Sequence, residues 1–173
     1  MQDPETYTFV SDGRFPNSRL PVLVYRRALI ADAQVMTQAF ATNGWSNAWL
    51  DGIFPYHHFH SIAHEVLGIA EGEVQVALGG PSGRTVVLAA GDVVVIPAGV
   101  AHRNVGQSHN LAVVGAYPGG ADYDIKRGEP AEYVAAMRAS AAVSPSVADP
   151  VAGDDGPLRA LWNEASARRT VDT

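Results

Sequence analysis

The sequence predicts an all-β domain, a small antiparallel barrel or sandwich with a few flanking helices. Its 173 residues are the length of one ordinary domain, and we expect 1–173 to form a single one. The 17 glycines and 11 prolines, with 47% apolar and 17% charged residues, are typical of a globular, turn-rich chain. Short alternating apolar stretches recur between positions 45 and 117, at the spacing of strands in barrels and sandwiches. The barrel is therefore predicted at about 45–117.

The N-terminal part, 1–44, is predicted as an arm and one helix that precede the barrel. Leu20–Tyr25 has the composition of a short strand or extended arm. One helical face follows, made of Val35, Met36, Ala39 and Phe40. Asp32 can cap this helix and Asn43-Gly44 can end it.

Within the barrel, period-two alternation marks the strands. Val74, Val76 and Leu78 alternate with polar residues, and the turn-forming residues 79–83 follow them as a predicted hairpin loop. Val93 and Val95 show the same period.

The C-terminal part, 118–173, is predicted as a helix and a docked tail. Pro130 opens a run of helix formers from 131 to 142 that Pro145 closes, and we expect this helix to cover the outside of the barrel. The tail is rich in turns but contains apolar residues that need burial: Val151, Leu158, Leu161 and Trp162. We therefore expect this tail to dock on a protein surface.

Composition excludes several classes of function. The net charge is −6 and no basic run occurs, which argues against recognition of nucleic acid through its phosphates. The first residues lack a signal-peptide pattern, and Asp92 and Pro97 interrupt the most apolar stretch, so a cytoplasmic protein without membrane contact is expected. Because the chain has no cysteine, any metal ion must be bound by His, Asp or Glu.

The strongest local signal is a cluster of histidines. His58 and His60 would point to one face of an extended strand, so both imidazoles can reach one metal ion. Glu65 follows closely enough for a turn or bulge to bring its carboxylate to the same ion. His102 follows the tight turn 97–99 and would supply a third imidazole. Three imidazoles and a carboxylate suit Fe, Mn, Ni, Cu or Zn.

His64 leaves an alternative open. It precedes Glu65 directly, so both side chains cannot face inward on a regular strand. A bulge could exchange them and make His64 the ligand.

Two spaced motifs in this region resemble those of the cupin family. The first consists of Gly52, His58, His60, Glu65 and Gly72. The second consists of Gly91, Pro97, Gly99 and His102. It departs from the family pattern in having Gly106 where an asparagine is expected, and Asn104 can substitute for the turn contacts of that residue. The segments 45–68 and 149–162 also resemble a subgroup of uncharacterised bacterial single-domain cupins.

This resemblance implies a jelly-roll type of β-barrel in which His58, His60, Glu65 and His102 bind one divalent transition-metal ion. It favours a metal-dependent enzyme acting on a small molecule, of oxygenase or isomerase type. The alternative is a non-catalytic module that binds a sugar or similar ligand, with a structural metal or none. Fold alone does not specify the reaction.

Candidate substrate-binding residues are Tyr56, His64 and Tyr117. Tyr56 shares a strand face with His58, while Tyr117 could recognise a substrate at the barrel mouth, as could Arg84 and Arg103. The aromatic cluster favours core or dimer contacts over a substrate platform: Trp45, Trp49, Phe54, Tyr56 and Phe59.

The exposed edges of a partly open sheet and the apolar tail predict a homodimer, as is common among cupins. Leu20–Tyr25 or the tail is expected in the interface. The alternative is that both segments dock on their own chain.

Overall fold

The computed structural model describes residues 2–168, in which nine β-strands and three α-helices occur. The strands are β1 (Glu5–Phe9), β2 (Ser18–Tyr25), β3 (Trp45–Asp51), β4 (Glu65–Glu71), β5 (Glu73–Leu78), β6 (Arg84–Ala89), β7 (Val93–Ile96), β8 (His102–Gln107) and β9 (Ala112–Pro118). The helices are α1 (Ala33–Thr42), α2 (Tyr133–Ala142), which a 3₁₀ turn at Pro130–Glu132 precedes, and α3 (Leu158–Ala167). The end of the predicted tail, 169–173, lies outside the described residues.

The strands form two antiparallel sheets. Six lie in the order β1-β2-β7-β4-β9-β3 and three in the order β6-β5-β8. An apolar core fills the space between them, with Val24, Leu67 and Val94 from the larger sheet and Val76 and Leu88 from the smaller one. No hydrogen-bonded ladder within residues 2–168 closes the sheets into a cylinder. The predicted antiparallel barrel is thus a jelly roll of two facing sheets.

The larger sheet is covered on both faces. Its outer face packs against Met36 and Phe40 of α1 and against Leu158 and Trp162 of α3. Every residue of β7 is therefore buried, although the alternation in the sequence marks only Val93 and Val95 as facing the core. Strands buried on both faces show continuous apolar runs, which explains the difference.

Helix α1 begins and ends as predicted. The Asp32 carboxylate accepts a 2.9 Å hydrogen bond from the backbone N–H of Val35, and Asn43 is the C-cap. Within residues 2–168, no helix combines the length and the apolar composition needed to cross a membrane.

Strand β2 corrects the prediction that Leu20–Tyr25 pairs with another subunit. β2 lies between β1 and β7 within its own chain, and both of its edges are already hydrogen-bonded. The tail also finds its partners within the chain, since Leu158 and Trp162 are fully buried and the Trp162 indole donates to Pro21 O at 3.0 Å. Neither segment is therefore free to form the apolar centre of a dimer interface.

Asp149 fastens the tail to the sheet. This fully buried carboxylate accepts hydrogen bonds from Tyr25 Oη at 2.6 Å and from the backbone N–H of Leu158 at 3.2 Å. Its other oxygen accepts from the N–H groups of Val151 and Ala152. One side chain thus joins β2, the turn after position 149 and the start of α3.

Candidate metal centre

Three buried histidines converge from two segments of the chain. His58 and His60 lie on the extended segment before β4, and His102 is the first residue of β8. His58 and His102 exchange two backbone hydrogen bonds, of 3.1 and 2.9 Å, which set the two segments side by side. One ring nitrogen from each of the three histidines lies within 4.8 Å of the others. The protein thus contains a group of three histidines able to bind a metal ion.

The Nδ1 atom of each imidazole faces a backbone carbonyl. His58 Nδ1 lies 3.0 Å from Tyr56 O, and His102 Nδ1 lies 3.1 Å from Val100 O. His60 Nδ1 makes the same kind of contact with Asp124 O. Because a carbonyl oxygen can only accept, each Nδ1 carries the proton and donates it. In the neutral rings the Nε2 lone pairs are then free, and such outer hydrogen bonds are typical of metal-binding histidines.

Glu65 adds a carboxylate oxygen to this group. Its Oε2 atom lies 3.2 Å from the Nε2 atoms of both His60 and His102. Two donors about 2.1 Å from one ion, at angles of about 90 to 110°, are separated by about 3.0 to 3.4 Å, so this spacing fits shared coordination. Glu65 Oε2 and His60 Nε2 are also buried without a hydrogen-bond partner. Since unpaired buried polar atoms are costly, the donor set fits a divalent cation.

Burial and mutual charge determine the protonation of the group. Burial, together with nearby His102, lowers the pKa of His58 to about 3, so this ring is neutral at pH 7. Burial would lower the pKa of His60, but the Glu65 carboxylate outweighs burial and raises it. Burial would likewise raise the pKa of Glu65, but His60 and His102 hold it below its usual value. A proton and a metal ion would therefore compete for His60, so metal affinity should decrease as the pH is lowered.

Tyr117 orients the Glu65 carboxylate. The strand register pairs Val66 of β4 with Ala116 of β9, which makes Glu65 and Tyr117 cross-strand neighbours on one face. Tyr117 Oη donates to Glu65 Oε1 at 2.8 Å and accepts from Trp49 Nε1 at 2.8 Å. The indole of Trp49 lies over Gly115, where a Cβ atom would come within 2.1 Å of the ring. The missing side chain at 115 thus allows this chain of hydrogen bonds.

Replacement of Tyr117 by phenylalanine tests this positioning role. We expect Tyr117→Phe to weaken metal binding by about 10-fold, because Glu65 loses the hydrogen bond that fixes its rotamer while all four donors remain. Metal dissociation constants from competition with a chromophoric chelator measure the effect. The matched control is Tyr133→Phe, which removes the hydroxyl of a half-buried tyrosine at the start of α2. Equal affinity in Tyr117→Phe and the unmodified protein would contradict the role.

A cavity of about 320 Å³ opens beside the histidines. It is lined by the three histidines, by Glu65 and by Tyr117. The other lining residues are Trp49, Leu50, Asp51, Gly52, Ile53, Phe54, Pro55, Leu67, Tyr123 and Ile125. Its size is at the lower end of small-molecule sites, which span about 300 to 1,000 Å³. The structure thus brings the four predicted ligands and Tyr117 to one pocket.

Two predicted substrate-binding residues lie elsewhere. Tyr56 is not among the lining residues; its ring stacks on Phe54 and contacts the side of His58, with the Arg127 guanidinium 3.9 Å from the ring centre. His64 faces away from the cavity and packs against Trp162. Neither side chain therefore lines the cavity beside the three histidines. No bulge exchanges His64 with Glu65, because β4 begins in regular register with Glu65 opposite Ile96.

Sequence reasoning missed the loop residues near position 124. Asp124 receives the His60 hydrogen bond on its carbonyl, and its carboxylate accepts from the backbone N–H and hydroxyl of Ser61. Its neighbours Tyr123 and Ile125 line the cavity mouth. Nothing in the sequence separates these residues from an ordinary polar turn. Asn104 does take over turn contacts near the departure at Gly106, because its side-chain Oδ1 accepts a 2.9 Å hydrogen bond from the Gly106 backbone N–H.

The buried ring of His64 predicts a loss of stability in acid. Ala98 N–H donates to Nδ1 at 2.9 Å, so Nε2 carries the proton and donates to Ser144 O at 3.0 Å. Burial lowers the pKa of His64 from 6.5 to about 4 in the folded protein. Between these values only the unfolded chain takes up the proton, so the free energy of unfolding decreases as pH falls. From pH 6.5 to 5 this contribution is roughly 2 kcal/mol, at 1.4 kcal/mol per pH unit.

Urea unfolding at pH 7 and pH 5, with a chelator present, measures this contribution as a difference between proteins. His64→Asn keeps an acceptor for Ala98 N–H but cannot become charged. We expect its stability to fall less between the two pH values than that of the unmodified protein. The same decrease in both proteins would show that His64 is not the titrating group.

Comparisons with known proteins found a family model and solved structures that are similar to this chain. The family model described as a cupin domain matches residues 51–114. Among solved structures, acireductone dioxygenase from Bacillus anthracis, with cadmium in its active centre, is 19% identical, with a TM-score of 0.39 over 52% of this chain and 60% of that one. Oxalate decarboxylase from Lactobacillus farciminis is 22% identical, with a TM-score of 0.38 over 71% of this chain and 33% of that one.

One curated relative extends over nearly the whole chain. The uncharacterised protein YjlB of Bacillus subtilis (strain 168) is 40% identical over 162 residues, which are 93% of this chain and 98% of YjlB. Identity at this level over the full length shows a shared family and fold. The chain therefore belongs to the cupin family, in the group that includes YjlB.

Proposed function

We propose that this cupin is a metal-dependent enzyme that acts on a small molecule, with one divalent transition-metal ion bound by His58, His60, Glu65 and His102. The observation that carries the proposal is the convergence of three Nε2 lone pairs and Glu65 Oε2, with every Nδ1 anchored on a backbone carbonyl. Pre-oriented donors beside an open cavity are typical of metal sites that meet a substrate.

A bound ion would supply Lewis-acid or redox chemistry at the inner end of the cavity. The residues of this chain supply the rest of the site. Tyr117, supported by Trp49, holds the Glu65 carboxylate, while Leu67 and Ile53 contribute an apolar wall to the same cavity. An oxygenase or isomerase type of reaction is consistent with such a site, because both reactions use a substrate oxygen near a metal ion.

Elemental analysis of protein purified without a histidine tag tests the proposal. We expect about one transition-metal ion per chain, taken from the cell or bound on reconstitution with Fe, Mn, Ni, Cu or Zn. Protein that takes up none of these metals would contradict the proposal. Full metal content without turnover of any small oxygenated compound would instead favour the binding-module alternative.

A homodimer is the second part of the proposal. The larger sheet ends in β1 and β3, and an unpaired strand edge is a natural surface for a second copy. Sedimentation equilibrium at micromolar concentration is expected to give twice the chain mass of 18.3 kDa. A species that stays at 18.3 kDa would contradict the dimer.

A further inference from the structure

The mouth of the cavity is surrounded by exposed apolar side chains. Leu50, Phe54, Tyr123 and Ile125 each line the cavity, yet each is 39 to 59% exposed. They come from β3, from the segment that follows it and from the loop near 124, so the fold assembles them from separate regions. Apolar residues exposed singly are ordinary, but a group of them around one opening marks a surface that an apolar ligand covers.

No lysine or arginine side chain lines this cavity in the described part of the chain. Arg103, which follows His102, is directed to Pro55 O by a 2.9 Å hydrogen bond from its Nε. Arg127 is held over the ring of Tyr56, which is not a lining residue. The charged groups that do line the cavity are the carboxylates of Asp51 and Glu65. A bound divalent ion would offset the charge of Glu65, so a substrate with two negative charges would meet repulsion from Asp51 as it enters.

One wall of the cavity, from the inner end to the mouth, is flat and largely carbon. The rings of Tyr117 and Tyr123 are stacked, with centres 4.3 Å apart and planes 17° apart. Trp49 lies beside them and already uses its N–H on Tyr117. These surfaces offer few free donors for the many hydroxyl groups of a sugar, whereas aromatic faces pack well on a flat ring.

Building on the proposed metal site, we infer that the cavity takes a flat, largely apolar molecule that is uncharged in solution and carries hydroxyl or carbonyl oxygens, such as an aromatic diol. The ring packs against the tyrosine stack inside the apolar mouth, and its oxygens reach the histidine group. Small dianions and sugars are poor ligands for this cavity.

Three probes distinguish these classes in protein loaded with Zn²⁺, which has no redox chemistry of its own. Catechol represents the flat apolar class, oxalate the small dianion and D-glucose the sugar. Near pH 7 oxalate is already ionised, whereas catechol must lose protons to bind a metal ion, so in water zinc favours oxalate. A preference of the protein for catechol would therefore come from the cavity and not from the metal ion. Trp49 fluorescence follows binding, with Trp49→Phe to identify the signal. Zinc content after each titration controls for removal of the metal.

We expect catechol to half-saturate the protein at a concentration at least 10-fold lower than oxalate or glucose. Ile125→Lys, which adds a cation at the mouth, should reduce this preference at least 5-fold. Val87→Lys is the matched control, since Val87 is equally exposed, at 46% against 44%, and lies outside the cavity. Oxalate or glucose binding as tightly as catechol would overturn the inference while leaving the metal site intact. Protein that takes up neither zinc nor any of the other four metals would instead overturn the proposed function itself.

Discussion

Alanine in place of His58 or His102 is expected to remove most of the bound metal. Each substitution deletes one imidazole, and the chain contains no cysteine that could replace it. The loss in affinity should exceed the roughly 10- to 100-fold that removal of an outer hydrogen-bonding partner costs. Metal content per chain after gel filtration in metal-free buffer measures the effect. Circular dichroism checks that both variants are folded.

Two other histidines provide the controls. His64→Asn is expected to keep its metal, because that ring points toward Trp162 and away from the cavity. His109→Ala, at an exposed position, should also keep it. Full metal content in both His58→Ala and His102→Ala would show that the wrong ligands are named. Loss of metal in His64→Asn with retention in Glu65→Ala would reassign the fourth ligand.

Alanine at position 149 is expected to cause a large loss of stability. It leaves Tyr25 Oη and three backbone N–H groups without their acceptor, in a position with no exposure. Each unsatisfied buried donor costs about 1 to 3 kcal/mol, so we expect a decrease of about 4 kcal/mol or more in the free energy of unfolding. Urea unfolding followed by tryptophan fluorescence reports this change, since Trp162 lies on the helix that Asp149 fastens.

Asp149→Asn and Asp154→Ala separate this role from general effects of removing charge. Asparagine keeps an acceptor oxygen of the same shape, so its loss should be clearly smaller than that of alanine. Asp154 is 78% exposed in its ion pair with Arg159, and its removal should change stability by less than about 1 kcal/mol. Equal losses for Asp149→Ala and Asp154→Ala would show that Asp149 does not fasten the tail.

The histidine group could be predicted from the sequence because its geometry is local. A period of two places His58 and His60 on one face, and the turn before His102 brings it opposite His58. The choice between His64 and Glu65 was open, since it depends on one residue of register. Pairing of Glu65 with Ile96 determines that choice, and this contact between distant positions leaves no local pattern.

The wall of the cavity was mostly beyond sequence reasoning. The sequence predicts that Tyr117 recognises a substrate at the mouth, but it groups Trp49 with the core or dimer aromatics and carries no signal for Tyr123. An aromatic residue in a strand has the same local signature whether it fills a core or lines an opening. What distinguishes Trp49 is Gly115 on the neighbouring strand, which makes room for the indole.

The hydrogen bond between His60 and the loop at Asp124 has a consequence for the rate of metal release. Asp124 holds His60 through its carbonyl and Ser61 through its carboxylate, while Tyr123 and Ile125 stand at the entrance. The loop cannot swing outward without breaking the hydrogen bond that orients the His60 imidazole. We therefore expect ion exit and opening of the entrance to share one motion, so that a bound ion would leave at the rate of that motion. With a strong chelator in excess, metal loss should then follow a single first-order decay whose rate no longer rises with chelator concentration.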